Sequence, residues 1–217
     1  RPLRSFDRIR LHLGTAETQG KVILLEAHDE LAPKQTALAQ IVLDEPIGAL
    51  WGDRLILRDQ SAQRTVAGGT VIDPFSPARG RARPERIETV KALELKNAGE
   101  SLTRLLDNAS AGVDLEPFAR SRNLTPNEAS NLWRDTPMQR VGRAEAPIGV
   151  SQSRCADKKA IEISRAIRSR ANRTSCSRSA ISNATSREFT ALLKVPNVMV
   201  PIIPKMATAM RISVNEK

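Results

Sequence analysis

The sequence contains no tyrosine, and phenylalanine and tryptophan together make up only 3% of its 217 residues. No apolar run approaches the roughly 20 residues that a membrane-spanning helix needs, which excludes an integral membrane protein. The two cysteines are too few for a disulfide framework or a four-cysteine zinc site, so a cytoplasmic location is expected. The chain begins with arginine, without a starting methionine or a signal peptide, and is therefore expected to be a segment of a longer protein.

Signatures of enzymatic chemistry are equally scarce. The sequence has no phosphate loop of the G-x-x-x-x-G-K-[ST] type, no G-x-G-x-x-G after a strand and no G-x-S-x-G nucleophile elbow. His12 and His28 are the only histidines, and neither lies at a metal-ligand spacing from other donors. Cys155 and Cys176 are interpreted as incidental thiols. We therefore expect no catalytic residue, no metal site and no cofactor in this chain.

Positive charge is abundant but unevenly distributed. The formal net charge is +10, yet residues 1–133 contain 18 basic and 18 acidic side chains. Residues 134–217 contain the other 16 basic side chains and only 6 acidic ones. A basic excess is typical of proteins that bind nucleic acids. Here the basic excess lies in residues 134–217 and is absent from the rest of the protein.

Residues 1–75 have the pattern of a small antiparallel β-barrel or sandwich. Short stretches with apolar residues, several of them alternating, lie at residues 8–13, 21–25, 36–43, 54–58 and 64–73. Turn-forming glycine, proline and aspartate separate them at even spacing, which favours an all-β module. The Gly68-Gly69 pair within the last stretch predicts a bulge or a close approach of two backbones.

A linker and a helical region follow the predicted strands. Residues 76–84 are rich in proline and arginine, and two interpretations of this stretch stay open: a solvated linker or a site for phosphates. The arginines that would contact nucleic acid in the second case are Arg79, Arg81, Arg83 and Arg86. Residues 85–135 predict short helices with a helix-turn-helix core, one of them starting at Thr125-Pro126.

Residues 136–217 form a basic tail for which little regular structure is predicted. Residues 151–190 include nine serines and seven arginines, and residues 195–206 include three prolines. Proline at this density disfavours both helices and central strands. Two origins stay open for the tail: a shifted reading frame, or a natural basic tail that binds RNA.

Two groups of motifs indicate a family. The first is Leu11–Glu17 (LHLGTAE), followed by Gly20-Lys21-Val22; the second is Asp53–Asp59 (DRLILRD), followed by Arg64–Val71 (RTVAGGTV). Together they resemble the third domain of the bacterial selenocysteine-specific elongation factor, SelB. The resemblance covers roughly residues 1–135. It implies a β-barrel like the third domain of elongation factor Tu, followed by the start of a winged-helix region whose wing is not traceable in the sequence.

The resemblance also implies a function. Members of this family deliver selenocysteinyl-tRNA to the ribosome at recoded UGA codons, and they bind a selenocysteine-insertion mRNA hairpin with their last winged helices. The GTPase domain that binds GTP and Mg²⁺ in the family has no counterpart in this sequence. This chain would therefore be a monomeric fragment that supplies a tRNA-contacting arm and part of the RNA-binding extension, and would be inactive as a GTPase on its own.

The tRNA-contacting positions of the related elongation factor Tu barrel correspond to residues of two regions here. The residues that the resemblance implies are Arg10, Thr15, Gln19, Arg58, Asp59, Gln60 and Arg64. Arginines can neutralise phosphates, while glutamine side chains and loop backbone can hydrogen-bond ribose hydroxyls.

Two other classes of function compete with this interpretation. A winged-helix DNA-binding regulator with a β-rich partner domain would bind duplex DNA with sequence selectivity. A small enzyme with an unrecognised carboxylate site is disfavoured by the scarcity of histidine and the lack of a nucleophile motif.

Overall fold

The computed structural model describes residues 2–26, 30–143, 146–152, 202–203 and 208–214. The histidine at position 28 and the two cysteines lie outside these residues. The strands are β1 (Leu3–Arg4), β2 (Arg8–Leu13), β3 (Ala16–Leu24), β4 (Glu30–Leu31), β5 (Thr36–Leu43), β6 (Ile47–Gly48), β7 (Arg54–Arg58), β8 (Thr65–Asp73), β9 (Val113–Asp114), β10 (Met138–Arg143), β11 (Ala146–Ser151), β12 (Ile202–Ile203) and β13 (Thr208–Val214). The helices are α1 (Pro84–Glu94), α2 (Ala98–Asn108), α3 (Leu115–Ser121) and α4 (Pro126–Asp135).

Six strands close into a barrel in the order β13-β5-β3-β2-β7-β8. Each neighbouring pair is antiparallel, and β8 closes the circle by pairing with β13. Side chains alternate along the strands, so Leu11, Ile41 and Leu57 lie in the barrel core with at most 2% of their surface exposed. The predicted β-barrel followed by helices is confirmed.

The strand that completes the barrel comes from the C-terminal tail. In β13 the side chains of Met210, Ile212 and Val214 are buried in the core, while Ser213 is exposed, which is the period-two pattern of a barrel strand. The prediction of a poorly structured tail is wrong for this segment, because β5 and β8 both need a partner that residues 1–75 do not supply.

The predicted close backbone approach at Gly68-Gly69 occurs against the same strand. A Cβ atom at Gly69 would overlap with the carbonyl oxygen of Arg211 on β13. Only glycine leaves room for the two backbones here, so the glycine pair belongs to the contact that closes the barrel.

The four helices build a second core next to the barrel. Leu102, Leu106, Leu115 and Phe118 pack in this core. Helix α1 begins with Pro84 in its first turn, and Thr125 caps α4 through a capping box with Glu128, as the sequence predicts for both starts.

A hairpin follows α4 in the region where the sequence indicated no wing. Strands β10 and β11 pair from Met138↔Ser151 to Arg143↔Ala146, and β11 also pairs with β9. The prediction of a poorly structured tail is therefore wrong for residues 138–143 and 146–151 as well. Their alternation is weak because three of the twelve positions are glycine or proline: Gly142, Pro147 and Gly149. Met138 of β10 packs in the core of the helical region, so the hairpin depends on contacts with the helices.

The helical region is docked on the barrel through Arg122, which follows α3. Its guanidinium lies 4.2 Å from the ring centre of Trp51, a barrel residue, and donates hydrogen bonds to the carbonyl oxygens of Leu93, Leu95 and Lys96 at the end of α1. Burial lowers the pKa of Arg122 to about 10, which keeps the side chain charged at neutral pH. A cation at the C-terminus of a helix also interacts favourably with the helix dipole.

The closing strand contributes to the same docking. Arg211 on β13 forms a two-pronged ion pair with Glu94 on α1 (Nε–Oε1 2.8 Å, Nη2–Oε2 2.7 Å) and a second pair with Glu26 at 3.1 Å. The hydrogen bond to Glu94 raises the pKa of Arg211 above its ordinary value. The barrel and the helices are thus joined by fixed contacts rather than by the linker alone.

Candidate nucleic-acid interface

Three adjacent barrel strands, β7, β2 and β3, present a basic outer surface. The alternation that buries their leucines turns every second side chain outward. We name the outward residues of these strands the basic face: Arg54, Ile56, Arg58, Arg8, Arg10, His12, Glu17, Gln19 and Lys21. Five of these nine side chains are permanently cationic and one is anionic, so the face has a net positive charge.

Like charges lie directly opposite each other on this face. Arg10 is paired in register with Arg58 across β2 and β7, and Arg8 is paired with Lys21 across β2 and β3. Cross-strand pairs of like charge destabilise a sheet. The arrangement therefore costs stability, and an anionic ligand bound across the strands would compensate for that cost.

Arg10 is held on the face by two side-chain hydrogen bonds. Its Nη1 donates to Glu17 at 2.5 Å and its Nε donates to the carbonyl oxygen of Gln60 at 2.8 Å. The hydrogen bond from Arg10 holds the pKa of Glu17 below its ordinary value, with smaller contributions from His12 and Arg58. Arg10 thus connects the strands to the loop that follows β7.

That loop, residues 59–64, is organised by Asp59. Its Oδ1 accepts hydrogen bonds from the hydroxyl of Ser61 and from the backbone amides of Gln63 and Arg64. Desolvation alone would raise the pKa of Asp59, but the hydrogen bonds outweigh it and the pKa is lowered. Asp59 therefore shapes the loop, while the exposed side chain of Arg64 is available to a ligand.

A cleft of about 430 Å³ opens between this loop and the N-terminal segment. Apolar side chains such as Ile9 and Val66 line it together with the charged residues Arg8, Asp59 and Arg64. It adjoins the basic face along the loop, so a ligand on the face would also border the cleft.

Most of the residues implied by the family resemblance come together here. Arg10, Gln19 and Arg58 form one row across the three strands. The carbonyl oxygen of Gln60 accepts a hydrogen bond from Arg10, and Arg64 belongs to the same loop. Thr15 differs, since it lies in the turn at the far end of the β2–β3 hairpin.

Three cations of the face were missed by sequence reasoning. Arg8, Lys21 and Arg54 point to the same side as the predicted residues, and all three are exposed. The period-two alternation was the available signal, because it places Arg8 on the same side of β2 as Arg10.

The arginines of the linker do not act as one group. Arg79 and Arg83 are exposed, and Arg81 donates to the carbonyl oxygen of Ala78 at 2.6 Å. Arg86, by contrast, is mostly buried: its side chain is 14% exposed and forms a 2.5 Å ion pair with Asp73. The guanidinium of Arg86 is thus held between α1 and β8, and its contact with nucleic acid stays a prediction.

Other kinds of site have little support in the part of the chain that the structure describes. Among those residues, no three histidine, cysteine or carboxylate side chains gather where they could hold a metal ion. Within the same ranges no helix has the length and hydropathy to cross a membrane.

Comparisons with known proteins agree with the motifs. Residues 1–78 match the family model for the β-barrel domain of the selenocysteine-specific elongation factor. The selenocysteine-specific elongation factor of Escherichia coli (strain K12) is 32% identical over 124 residues, which cover 57% of this chain and 18% of that protein. The factor of Desulfomicrobium baculatum is 32% identical over 111 residues, or 51% of this chain and 17% of that protein. The factor of Haemophilus influenzae is 31% identical over 108 residues, which cover 49% of this chain and 17% of that protein.

The matched region spans less than a fifth of the length of these relatives. Within this chain, however, the matched region includes the barrel strands up to β8 and the motifs that indicated the family. The resemblance is therefore confirmed: residues 1–78 match the β-barrel domain of the selenocysteine-specific elongation factor, and about half of the chain is similar to three such factors.

Proposed function

We propose that this chain is part of a selenocysteine-specific elongation factor and that its basic face binds the backbone of tRNA. The observation that carries this proposal is that two pairs of like charges lie opposite each other, Arg10 with Arg58 and Arg8 with Lys21. A folded RNA offers phosphates along a helical backbone at a spacing that rows of cations can follow. Gln19 lies in the same row and can hydrogen-bond ribose hydroxyls.

The loop beside the face extends the proposed interface. Arg10 and Asp59 fix the loop backbone, so Arg64 and Gln60 are presented on an ordered support. Preorganised contacts lose less conformational entropy on binding than flexible ones. Asp59 itself is a positioning residue in this account, since a carboxylate repels phosphate.

We propose that residues 98–151 form a winged-helix module. The order α2, β9, α3, α4, β10, β11 and the sheet order β10-β11-β9 support this assignment, with β10 and β11 as the wing. The exposed side chains of α4 include Glu128, Arg134 and Asp135, and Arg134 already contacts Asn131. A recognition helix with this charge does not favour the alternative of a DNA-binding regulator.

The wider role follows from the family and is part of the proposal. The full-length protein would deliver selenocysteinyl-tRNA to the ribosome in the cytoplasm, with GTP and Mg²⁺ bound by a domain outside this sequence and an mRNA hairpin bound by further winged helices. The division into a barrel, a linker at 76–84 and a helical part at 85–135 stays a prediction. GTP turnover by the purified chain would contradict the expectation that it is inactive alone.

The salt dependence of tRNA binding tests the basic face. Changing Arg58 and Arg64 together to alanine removes two proposed phosphate contacts, so the slope of log affinity against log salt should fall by up to about two. Binding can be followed by fluorescence anisotropy of labelled tRNA at several salt concentrations, and circular dichroism shows whether the fold is kept.

The double variant Arg104→Ala/Arg120→Ala is the matched control. It removes the same charge from exposed positions of α2 and α3. The slope of log affinity against log salt for this control should equal that of the unchanged chain within error. An equal effect of both double variants would show that tRNA responds only to net charge, and would contradict a defined interface.

A further inference from the structure

One aromatic side chain is exposed at the end of the basic face. Phe6 has 69% of its surface exposed, and it and Ile56 are the large apolar residues that stand out to solvent in the described ranges. Its backbone has a φ angle of +71°, the left-handed region that a bulky residue rarely adopts. An exposed, strained phenylalanine contributes little to a core, and strain of this kind tends to persist at functional sites.

Phe6 lies just before the row of cations on β2. The Phe6 amide donates to the carbonyl oxygen of Val22, and the Val22 amide donates to that of Asp7, so the pairing with β3 extends beyond Arg8. Phe6 and Asp7 both lie opposite Val22, so the chain forms a bulge directly before β2. Arg8, the first residue of β2 and of the basic face, follows Phe6 by two residues, which places this turn at the N-terminal end of the face.

Two arginines lie two residues before and two residues after Phe6 in the chain. Arg4 pairs with Glu30 at 3.0 Å and Arg8 pairs with Asp44 at 3.1 Å, and in each pair both side chains are more than two-fifths exposed. Exposed ion pairs of this kind are weak and salt-sensitive, so both arginines can exchange their carboxylates for phosphates. An aromatic ring close to such cations in the chain has the chemistry of a site for a single-stranded nucleotide, in which a base stacks on the ring.

We infer that Phe6, with Arg4 and Arg8, binds an unpaired nucleotide of the RNA that lies on the basic face. The inference rests on the proposed function, because it names the part of the RNA that the edge of that face contacts. The base stacks on the Phe6 ring, and its flanking phosphates contact the two arginines. The nucleotide has to be unpaired, since bases within an A-form helix are already stacked on their neighbours.

The test compares two RNAs with the full 217-residue chain. One is a blunt RNA hairpin, and the other is the same hairpin with a short single-stranded 3′ extension. Phe6→Ala should weaken binding of the extended hairpin by roughly 5- to 100-fold, which corresponds to one stacked base, and should leave the blunt hairpin within about twofold. Phe6→Trp should bind the extended hairpin at least as well as the unchanged chain.

Phe6→Leu is the matched control, because it keeps apolar bulk without a stacking ring. It should lose as much affinity as Phe6→Ala; affinity equal to that of the unchanged chain would show a general apolar contact and overturn the inference. An equal loss on both RNAs, or no loss on either, would overturn it too. Binding of the blunt hairpin separates the two proposals: if the unchanged chain does not bind it, the proposed function fails, and if the extension adds no affinity, only the inference fails.

A melting experiment distinguishes a binding role from a structural one. Phe6→Gly removes the strain of the left-handed backbone, so this variant should unfold at a higher temperature than the unchanged chain while it binds the extended hairpin less tightly. A lower melting temperature would show that the ring stabilises the fold and would contradict its assignment to the RNA.

Discussion

Arginines serve two regions of this molecule in opposite ways. At the joint between barrel and helices, Arg86, Arg122 and Arg211 are half-buried or more, and each contacts carboxylates or carbonyl oxygens of a second element. On the basic face, Arg58 and Arg54 have no ion pair with another described residue, and Arg10 lies opposite Arg58. The joint holds its cations on buried or half-buried groups, whereas the face leaves Arg54 and Arg58 without an ion pair to a described residue and holds Arg8 and Arg10 through partly exposed pairs with Asp44 and Glu17.

This difference between the joint and the face indicates which cations can bind a ligand. A guanidinium that is buried on fixed acceptors cannot leave them without a large loss of stability. An exposed guanidinium in high dielectric gains little from weak surface pairs and can exchange them for phosphate. Substitutions in the joint should therefore change stability, and substitutions on the face should change binding.

The largest effect is expected at Arg122. Arg122→Ala removes three hydrogen bonds to the end of α1 and the stacking on Trp51, and should lower the free energy of unfolding by about 2–4 kcal/mol. Urea denaturation followed by tryptophan fluorescence measures this loss. Arg122→Lys should recover less than half of it, because lysine lacks the planar fork of donors.

Arg120→Ala serves as the control two positions away. Its side chain is 55% exposed, pairs with Glu116 one helical turn earlier and lies 5.7 Å from the ring centre of Phe75, so the loss should stay below about 1 kcal/mol and well below that of Arg122→Ala. If Arg120→Ala and Arg122→Ala unfolded at the same urea concentration, the described joint would not be what holds α3 against the barrel.

A smaller effect separates two arginines that the sequence alone could not tell apart. Arg86→Ala leaves the carboxylate of Asp73, which is 11% exposed, without its ion pair and should cost about 1.5–3 kcal/mol of stability. Arg79→Ala should change stability by less than about 0.5 kcal/mol, because the side chain is exposed. Thermal melts of the two variants measure the difference. Equal melting temperatures would contradict the assignment of Arg86 to the joint and of Arg79 to the linker.

The smallest effect concerns pH and the loop on the face. The pKa of Asp59 is lowered in the folded state, so its contribution to loop stability is complete above the ordinary carboxyl pKa of about 4 and is lost as the pH falls through the lower folded value. Hydrogen exchange at the amides of Gln63 and Arg64 should therefore stay slow down to pH 4. Asp59→Asn should exchange faster at these amides at neutral pH; equal exchange would show that the carboxylate does not hold the loop.

Local patterns were sufficient to predict most of the barrel. Short apolar stretches located β2, β5 and β7 because their apolar residues face one core, and Thr125 with Pro126 marked the start of α4. The glycine pair in the middle of β8 indicated a close backbone contact, but its partner could not be inferred. That partner is Arg211, whose strand is separated from β8 by well over a hundred residues.

The remaining differences come from tertiary contacts. The pattern of β13 is present in the sequence, yet only the gap between β5 and β8 makes it a barrel strand. Arg79 and Arg86 occur in the same basic stretch, and only the position of Asp73 decides that one is buried and the other is not. The predicted residues of the face came from the family resemblance, and alternation would have added Arg8, Lys21 and Arg54. The fixing of the loop by Arg10 depends on a contact across the barrel surface, which no local pattern indicates.

The most direct measurement of the central claim follows the side-chain Nε–Hε signals of the arginines by NMR while tRNA is added. If the basic face binds the RNA backbone, the signals of Arg10, Arg58 and Arg64 shift with tRNA concentration, and those of Arg86, Arg122 and Arg211 keep their positions. Shifts confined to Arg134 and Arg140 on the helical part, with the face unchanged, would contradict the account.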